Sequence, residues 1–213
     1  MSGTVYFVTG ASRGIGLEFI NQLVKRKDST VYAGARNPAA LEKQFPSPPS
    51  NLHIVQCDVT SDESVAAAAK LVSERSGRVD VLINNAGIDN GLSIRDTSCD
   101  SLRSVLETNV IGVHRVTQTF LPLIHASSIK KVINLGSDFG SVALNDRDFC
   151  GAYNTSKAAL NMLTVQYKNE YKKDGIIFIP LHPGDVRAIE MYLIEGFYGY
   201  ERLRCKNPDQ RKC

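Results

Sequence analysis

Short apolar runs alternate with longer amphipathic stretches along most of the chain. Six runs are unbroken and rich in Val and Ile, at residues 5–9, 30–34, 52–56, 79–84, 131–136 and 176–181. A strand with one wet face alternates apolar and polar residues, so unbroken runs predict strands covered on both faces, as in a parallel sheet. After Gly14, the residues Ile15, Phe19, Ile20, Leu23 and Val24 recur at helical spacing. Thr60-Ser61-Asp62-Glu63 has the character of a capped helix start and leads into the apolar positions of 66–72. Longer helices are predicted over 101–124 and 151–172. Strand–helix–strand repetition calls for right-handed crossovers and one doubly wound parallel sheet between two helical layers, the α/β Rossmann-type architecture. Pro46-Ser47-Pro48-Pro49-Ser50 is read as a stiff loop, and neither an internal repeat nor a second domain is apparent.

Composition narrows the function classes. Of 213 residues, 43% are hydrophobic and 22% charged, ordinary values for a globular domain. A net charge of +3, without a dense Lys/Arg block before the last dozen residues, gives no ground for a nucleic-acid or membrane partner. The first apolar run, Val5-Tyr6-Phe7-Val8, is too short for a secretory signal or a membrane span, so a cytoplasmic location is expected. The five cysteines (Cys57, Cys99, Cys150, Cys205, Cys213) are scattered and odd in number, and read as reduced thiols, with no metal site. Cys150 is close to Tyr153 in sequence, and packing is its expected role.

The first strand runs into Thr9-Gly10-Ala11-Ser12-Arg13-Gly14-Ile15-Gly16 and then a helix. Glycines there permit unusual backbone angles and let a pyrophosphate approach the main chain, while the helix start presents free N–H groups to the anion. This position makes Gly10, Ser12, Arg13, Gly14, Ile15 and Gly16 candidate dinucleotide-binding residues. Gly10–Gly14 also fits the G-x-S-x-G nucleophile elbow of hydrolases. That elbow needs earlier strands to build its sheet, and only nine residues precede Gly10. No carboxylate lies between Thr30 and Asn37, where an NAD site commonly holds the ribose hydroxyls. Arg36 and Arg13 instead offer guanidinium groups to a 2′-phosphate, so NADP(H) is expected over NAD(H).

Tyr153 and Lys157 are four apart on a predicted helix and project from one face. A nearby ammonium favours phenolate, so a lowered Tyr153 pKa is expected. Ser137 falls just past the fifth strand, where such sheets place ligands, and its hydroxyl could polarise a carbonyl. Singly, each of these residues is unremarkable; a Tyr/Lys pair at helical spacing is commonly a surface pair. His182 is read as a structural residue at a strand end.

Taken in order, Thr9–Gly16, Asp58-Val59, Asn84-Asn85-Ala86-Gly87, Asn109, Ser137, Tyr153-Asn154-Thr155-Ser156-Lys157 and Pro183-Gly184 resemble the short-chain dehydrogenase/reductase family. The resemblance covers residues 4 to about 187. Together with Ala35-Arg36-Asn37-Pro38, the layout is most similar to fungal norsolorinic-acid-ketoreductase-like and sniffer-type carbonyl reductases. The resemblance implies an NADPH-dependent carbonyl reductase acting on a ketone, aldehyde or alcohol. It makes Asn109, Ser137, Tyr153 and Lys157 catalytic, with Tyr153 the general acid, Lys157 also on the nicotinamide ribose and Asn109 supporting a proton relay through the helix it interrupts. It assigns Asp58 and Val59 to the adenine side, and Asn85, Ala86, Gly87, Asn109, Pro183, Gly184 and Val186 to the cofactor cleft. It also implies a homodimer or homotetramer through the two long helices.

The end of the chain departs from the pattern. Ala188 stands where the resemblance leads one to expect a threonine, a loss worth about 1 kcal/mol of cofactor orientation. Residues 1–187 are expected to form the oxidoreductase domain, and 188–213 a shortened tail without the family's usual seventh strand. A natural short form, a partner chain covering the sheet edge and an aberrant gene end all fit. A catalytically silent dinucleotide-binding protein is therefore the alternative function.

Overall fold

The computed structural model describes residues 3–184. Val186, Ala188, the tail 188–213 and the question of a seventh strand lie outside the described residues. Within them, six strands form one parallel sheet in the order β3-β2-β1-β4-β5-β6: β1 Thr4–Thr9, β2 Ser29–Ala35, β3 Leu52–Gln56, β4 Val81–Asn84, β5 Lys131–Leu135 and β6 Ile177–Leu181. Tyr6 pairs with Val31 on one side and Val81 on the other, so β1 lies at the centre, where the chain order reverses. β3 and β6 are the edge strands among the described residues, and β6 leaves Ile177 and Leu181 exposed.

Both faces of the sheet are covered. Val5 and Phe7 point into one core with Tyr32, Leu82, Val132 and Phe178, closed by Val65 and Val72 of α3 (Asp62–Ser76), Val116 and Phe120 of α5 (Gly112–His125) and Tyr167 of α6 (Gly151–Glu170). Tyr6 and Val8 point into the other with Val31, Ala33 and Ile83, closed by Ile20 and Leu23 of α1 (Gly14–Leu23) and Leu41 of α2 (Ala39–Gln44). Adjacent residues of one strand thus enter opposite cores, which is why the run is unbroken. The Ser61 hydroxyl caps α3 by accepting from Ser64 N at 3.1 Å, as its sequence predicts.

Three elements differ from the pattern's expectation. β4 starts at Val81, since the Val79 amide turns to Leu123 O of α5 at 3.0 Å; the Asp80 carboxylate between them accepts from Val5 N at 2.7 Å, Ser127 Oγ at 2.5 Å and Arg78 Nε at 3.2 Å. The helix expected over 101–124 is α4 (Cys99–Leu106), a π-helical widening (Glu107–Ile111) and then α5. α2 is additional; six residues with Leu41 alone buried give too short a stretch for periodicity to register.

Candidate active site

The glycine turn is built for close approach. Gly10 and Gly14 hold φ of +64° and +55°, the left-handed region that a Cβ disfavours. A Cβ on Gly16 would stand 2.3 Å from Gly10 O and 2.5 Å from Asn85 Nδ2, whereas one on Gly14 would meet nothing within 4 Å. The space over Gly14 is open, and Arg13, at the start of α1, makes no side-chain capping bond. The opening N–H groups of α1 therefore lack the serine cap that α3 and α4 carry. Ser12 is half-buried, Arg13 is exposed, and Ile15 packs against the α1-side core.

A continuous set of contacts leads from this turn to α6. Asn85 Nδ2 donates to Thr9 O and Gly10 O, each at 3.0 Å, and Thr9 Oγ1 accepts from Asn85 N and Ala86 N at 3.0 and 3.1 Å. Asn85 is thus a brace between the glycine turn and the end of β4, and Thr9 a partner the motif reading passed over. Gly87 is exposed beside Asn109. Asn109, fully buried in the π-helical segment, accepts from Ile88 N and donates to Ile88 O, both at 2.8 Å, and donates to Ser156 Oγ at 2.9 Å. Ser156 in turn donates to Tyr153 O at 2.7 Å.

Behind this runs a buried polar line. Asn84 Nδ2 donates to Thr117 Oγ1 at 3.1 Å and Asn134 Oδ1 at 2.9 Å, and Asn134 Nδ2 to Thr164 Oγ1 at 2.9 Å. It fastens β4 and β5 to α5 and α6 beneath the site.

Ser137 follows β5 and opens a single 3₁₀ turn, Asp138–Gly140. A Cβ on Gly140 would meet Lys157 C at 2.6 Å, so only glycine lets that turn lie on α6. The Ser137 hydroxyl bears on Tyr153 and draws its pKa downward, and the Lys157 Nζ stands 5.2 Å from the Tyr153 ring centroid. Lys157 is buried and donates to Leu135 O at 2.6 Å; burial pushes its ammonium down to about 8. The four residues expected to be catalytic are therefore gathered at the carboxyl ends of β4 and β5 and the start of α6, with Tyr153 and Lys157 on one helix face.

The expected lowering of the Tyr153 pKa is corrected. Burial pushes it up, and Asp89, Cys150 and Asp138 add to that, against a downward pull from Ser137 alone. Lys157 directs its ammonium to the Leu135 carbonyl rather than the phenol oxygen. Cys150 is buried beside Asp89 in a left-handed conformation (φ +56°), its thiol raised to about 12 by burial and then by Asp89. His182 directly follows β6 and is exposed, with Nε2 4.0 Å from Asp138 Oδ1.

The second strand ends at an exposed Arg36. Burial would raise the Asp58 carboxyl, but the Thr60 amide and hydroxyl, with Arg36 and Arg115 nearby, outweigh it and hold the carboxyl below its usual range. Val59 has its side chain buried against Gly112, and Arg115 Nη1 donates to Val59 O at 2.7 Å, so its side chain is turned to the core and its carbonyl already has a partner. Pro183 and Gly184 are exposed at the end of the described residues.

A family model described as short chain dehydrogenase matches residues 4–192. The chain belongs to that family. An uncharacterised oxidoreductase of Schizosaccharomyces pombe is 38% identical over 187 residues, covering 86% of this chain and 74% of that one. A short-chain dehydrogenase of Penicillium roqueforti is 34% identical, covering 85% and 78%. The crystal structure of NADPH-bound carbonyl reductase from chicken fatty liver superposes with a TM-score of 0.80 at 35% identity, over 86% of this chain and 80% of that one. This short-chain dehydrogenase is an NAD(P)-dependent oxidoreductase.

The residues present fit a dinucleotide. The uncapped start of α1 and the clear space over Gly14 suit a pyrophosphate. No helix among the described residues of this short-chain dehydrogenase is long and apolar enough to cross a membrane.

Proposed function

We propose that this chain is an NADPH-dependent carbonyl reductase in which Tyr153 protonates the carbonyl oxygen of a ketone or aldehyde. The observation that carries the reading is the gathering of Ser137, Tyr153 and Lys157 around one phenol, linked to the glycine turn through Asn109 and Asn85. The dinucleotide supplies the hydride when bound. Burial keeps the Tyr153 phenol protonated at neutral pH, the state a proton donor needs for reduction. Ser137 holds the carbonyl oxygen next to that proton. Lys157, at about 8, is still mostly ammonium at pH 7 and stabilises the phenolate left after transfer. Asn109 fixes Ile88 and Ser156, and so the loop and helix between which substrate enters.

Preference for NADPH is supported by the exposed Arg36 and Arg13 and by the lack of a carboxylate between Thr30 and Asn37. Ile88, Leu92, Ile94, Val142 and Leu144 are exposed on the two loops that flank the start of α6, which favours a substrate with an apolar body. Exposed Ile111, Met162 and Val165 on the α4–α6 side suit a homodimer or homotetramer. The free thiols of Cys57, Cys99 and Cys150 are in keeping with a cytoplasmic location.

The test is consumption of NADPH against a panel of ketones and aldehydes, with Tyr153→Phe beside the parent protein. Turnover lost by about a hundredfold or more in Tyr153→Phe is expected, the scale of general acid catalysis. Undiminished turnover would remove Tyr153 from the reaction. NADPH binding without reduction of any carbonyl would make the chain a silent dinucleotide-binding protein.

A further inference from the structure

Ser137 has one hydroxyl proton and more than one neighbour to receive it. Its Oγ donates to Asp138 Oδ1 at 3.2 Å while accepting from Phe139 N at 3.2 Å, and it stands near enough to the Tyr153 phenol to draw that pKa downward. Asp138 Oδ2 receives Arg147 Nη2 at 3.0 Å. Arg147 is held in place as well as charged. Its guanidinium carbon lies 4.2 Å from the Phe139 ring centroid, and its amide donates to Asn145 Oδ1 at 3.1 Å, while Asn145 Nδ2 donates to Phe139 O at 2.9 Å. The Phe139 ring meets the Tyr153 ring edge-on, with centroids 6.1 Å apart.

We propose that Asp138 and Arg147 are a positioning pair that sets how Ser137 shares its proton with Tyr153, Asp138 drawing that proton toward itself and Arg147 limiting the pull. The inference rests on the carbonyl reductase reading and adds to it two residues that act through Ser137.

A Ser137 whose proton is turned to Asp138 offers Tyr153 only lone pairs, which suit a protonated phenol. A Ser137 released from Asp138 donates instead, which suits a phenolate or a carbonyl oxygen. Arg147 on Oδ2 draws charge from the carboxylate and makes Oδ1 a weaker acceptor. The pair therefore balances a ready proton donor against a serine free to bind the carbonyl. Other groups bearing on Tyr153 are Asp89, Cys150 and Lys157, and His182 also faces Asp138. Substitution at 138 and 147 leaves all four in place.

The test is an ultraviolet difference titration of the Tyr153 phenol, with Tyr153→Phe subtracted in each background. Asp138→Asn is expected to lower the midpoint, and Arg147→Met to raise it, each by roughly half a unit or more for a partly exposed charge. Arg147→Lys, which keeps the charge, is expected to stay near the parent value. In the Asp138→Asn background, Arg147→Met is expected to lose its upward shift. Asp138→Ser reads the same loss of charge if the amide disturbs the turn. Unmoved midpoints, or shifts of one sign in both single variants, would overturn the proposal. A purely structural pair would alter stability without opposite shifts. With an active carbonyl, the alkaline limb of kcat/KM is expected to move in the same senses. The titration needs no substrate, so a protein that reduces no carbonyl would sink the reductase reading while the fate of the pair is still read.

Discussion

The Lys157 ammonium sits 5.2 Å from the Tyr153 ring centroid but spends its hydrogen bond on Leu135 O, 2.6 Å away on β5. That arrangement places a charge in the core beside the phenol. The lysine is 5% exposed and its pKa falls from 10.5 to about 8, a cost to folding on the order of 3 kcal/mol while the group stays charged. Lys157→Met removes that cost and leaves Leu135 O without its donor, a loss of about 1–3 kcal/mol. The variant is therefore expected to be at least as stable as the parent at pH 7, and to have lost carbonyl turnover. Thermal melts beside an NADPH oxidation assay check both; a large drop in Tm would show that Lys157 supports the fold.

The sign of the pH dependence follows from the same residue. Its folded value lies below its unfolded one, so between about 8 and 10.5 the unfolded chain binds more protons, and the lysine's penalty fades as pH rises. Any stability advantage of Lys157→Met at pH 7 is expected to narrow progressively above pH 8. Melts of the two proteins from pH 7 to 10 give the difference directly, and a gap that widens with pH contradicts the assignment.

Local relationships were the legible ones. Val5–Val8 reads as a strand covered on both sides because neighbouring residues enter opposite cores, and Tyr153 with Lys157 reads as one helix face because four residues make about one turn. The glycine turn was legible in position, though not the Thr9 and Asn85 brace that joins it to β4. The phenol's acidity was not, since Asp89 and Asp138 reach it from separate loops and burial comes from the whole fold. Nor was the bearing of Lys157, which depends on a carbonyl of another element. The π-helical widening is likewise invisible to periodicity: residues 101–124 keep a helical apolar pattern, and the family resemblance alone marked Asn109 as interrupting it.

Asn109 offers a direct measure of that widening's worth. Its side chain makes hydrogen bonds to Ile88 N, Ile88 O and Ser156 Oγ, and is fully buried. Asn109→Ala removes all three bonds, leaves the Ile88 amide and carbonyl without their side-chain partner while Ser156 keeps its bond to Tyr153 O, and is expected to destabilise the fold by about 2–4 kcal/mol. Urea denaturation at pH 7 measures it. A change within experimental error would mean that water replaces the amide without loss.

Gly14 and Gly16 separate two uses of glycine in one turn. Gly16→Ala drives a methyl to 2.3 Å from Gly10 O and 2.5 Å from Asn85 Nδ2, which forces the turn and its brace apart. Gly14→Ala meets nothing, and its cost is the left-handed backbone at φ +55°, about 1–2 kcal/mol. NADPH titration is expected to show affinity falling at least about tenfold in Gly16→Ala, in keeping with a distorted anion cradle. In Gly14→Ala, a loss of stability is expected, together with a block of the open space above the turn. Equal stability and affinity in Gly16→Ala and the parent would show that the turn yields freely.

Arg36 decides the cofactor question most sharply. It is exposed at the end of β2, and the Asp58 carboxylate nearby already accepts from the Thr60 amide and hydroxyl. A guanidinium so placed gains from a 2′-phosphate a charge-assisted contact worth roughly 1.5–3 kcal/mol, and nothing comparable from a bare ribose. Arg36→Leu is therefore expected to weaken NADPH binding by about ten- to a hundredfold while changing NADH binding little, since 1.4 kcal/mol is tenfold. Arg36→Asp should go further, turning the preference toward NADH by placing a carboxylate where ribose hydroxyls can donate to it. Fluorescence titrations of both dinucleotides against the three proteins provide the comparison. Parallel losses for NADPH and NADH would show that Arg36 contacts what the two share, and would leave Arg13 as the group that could tell them apart.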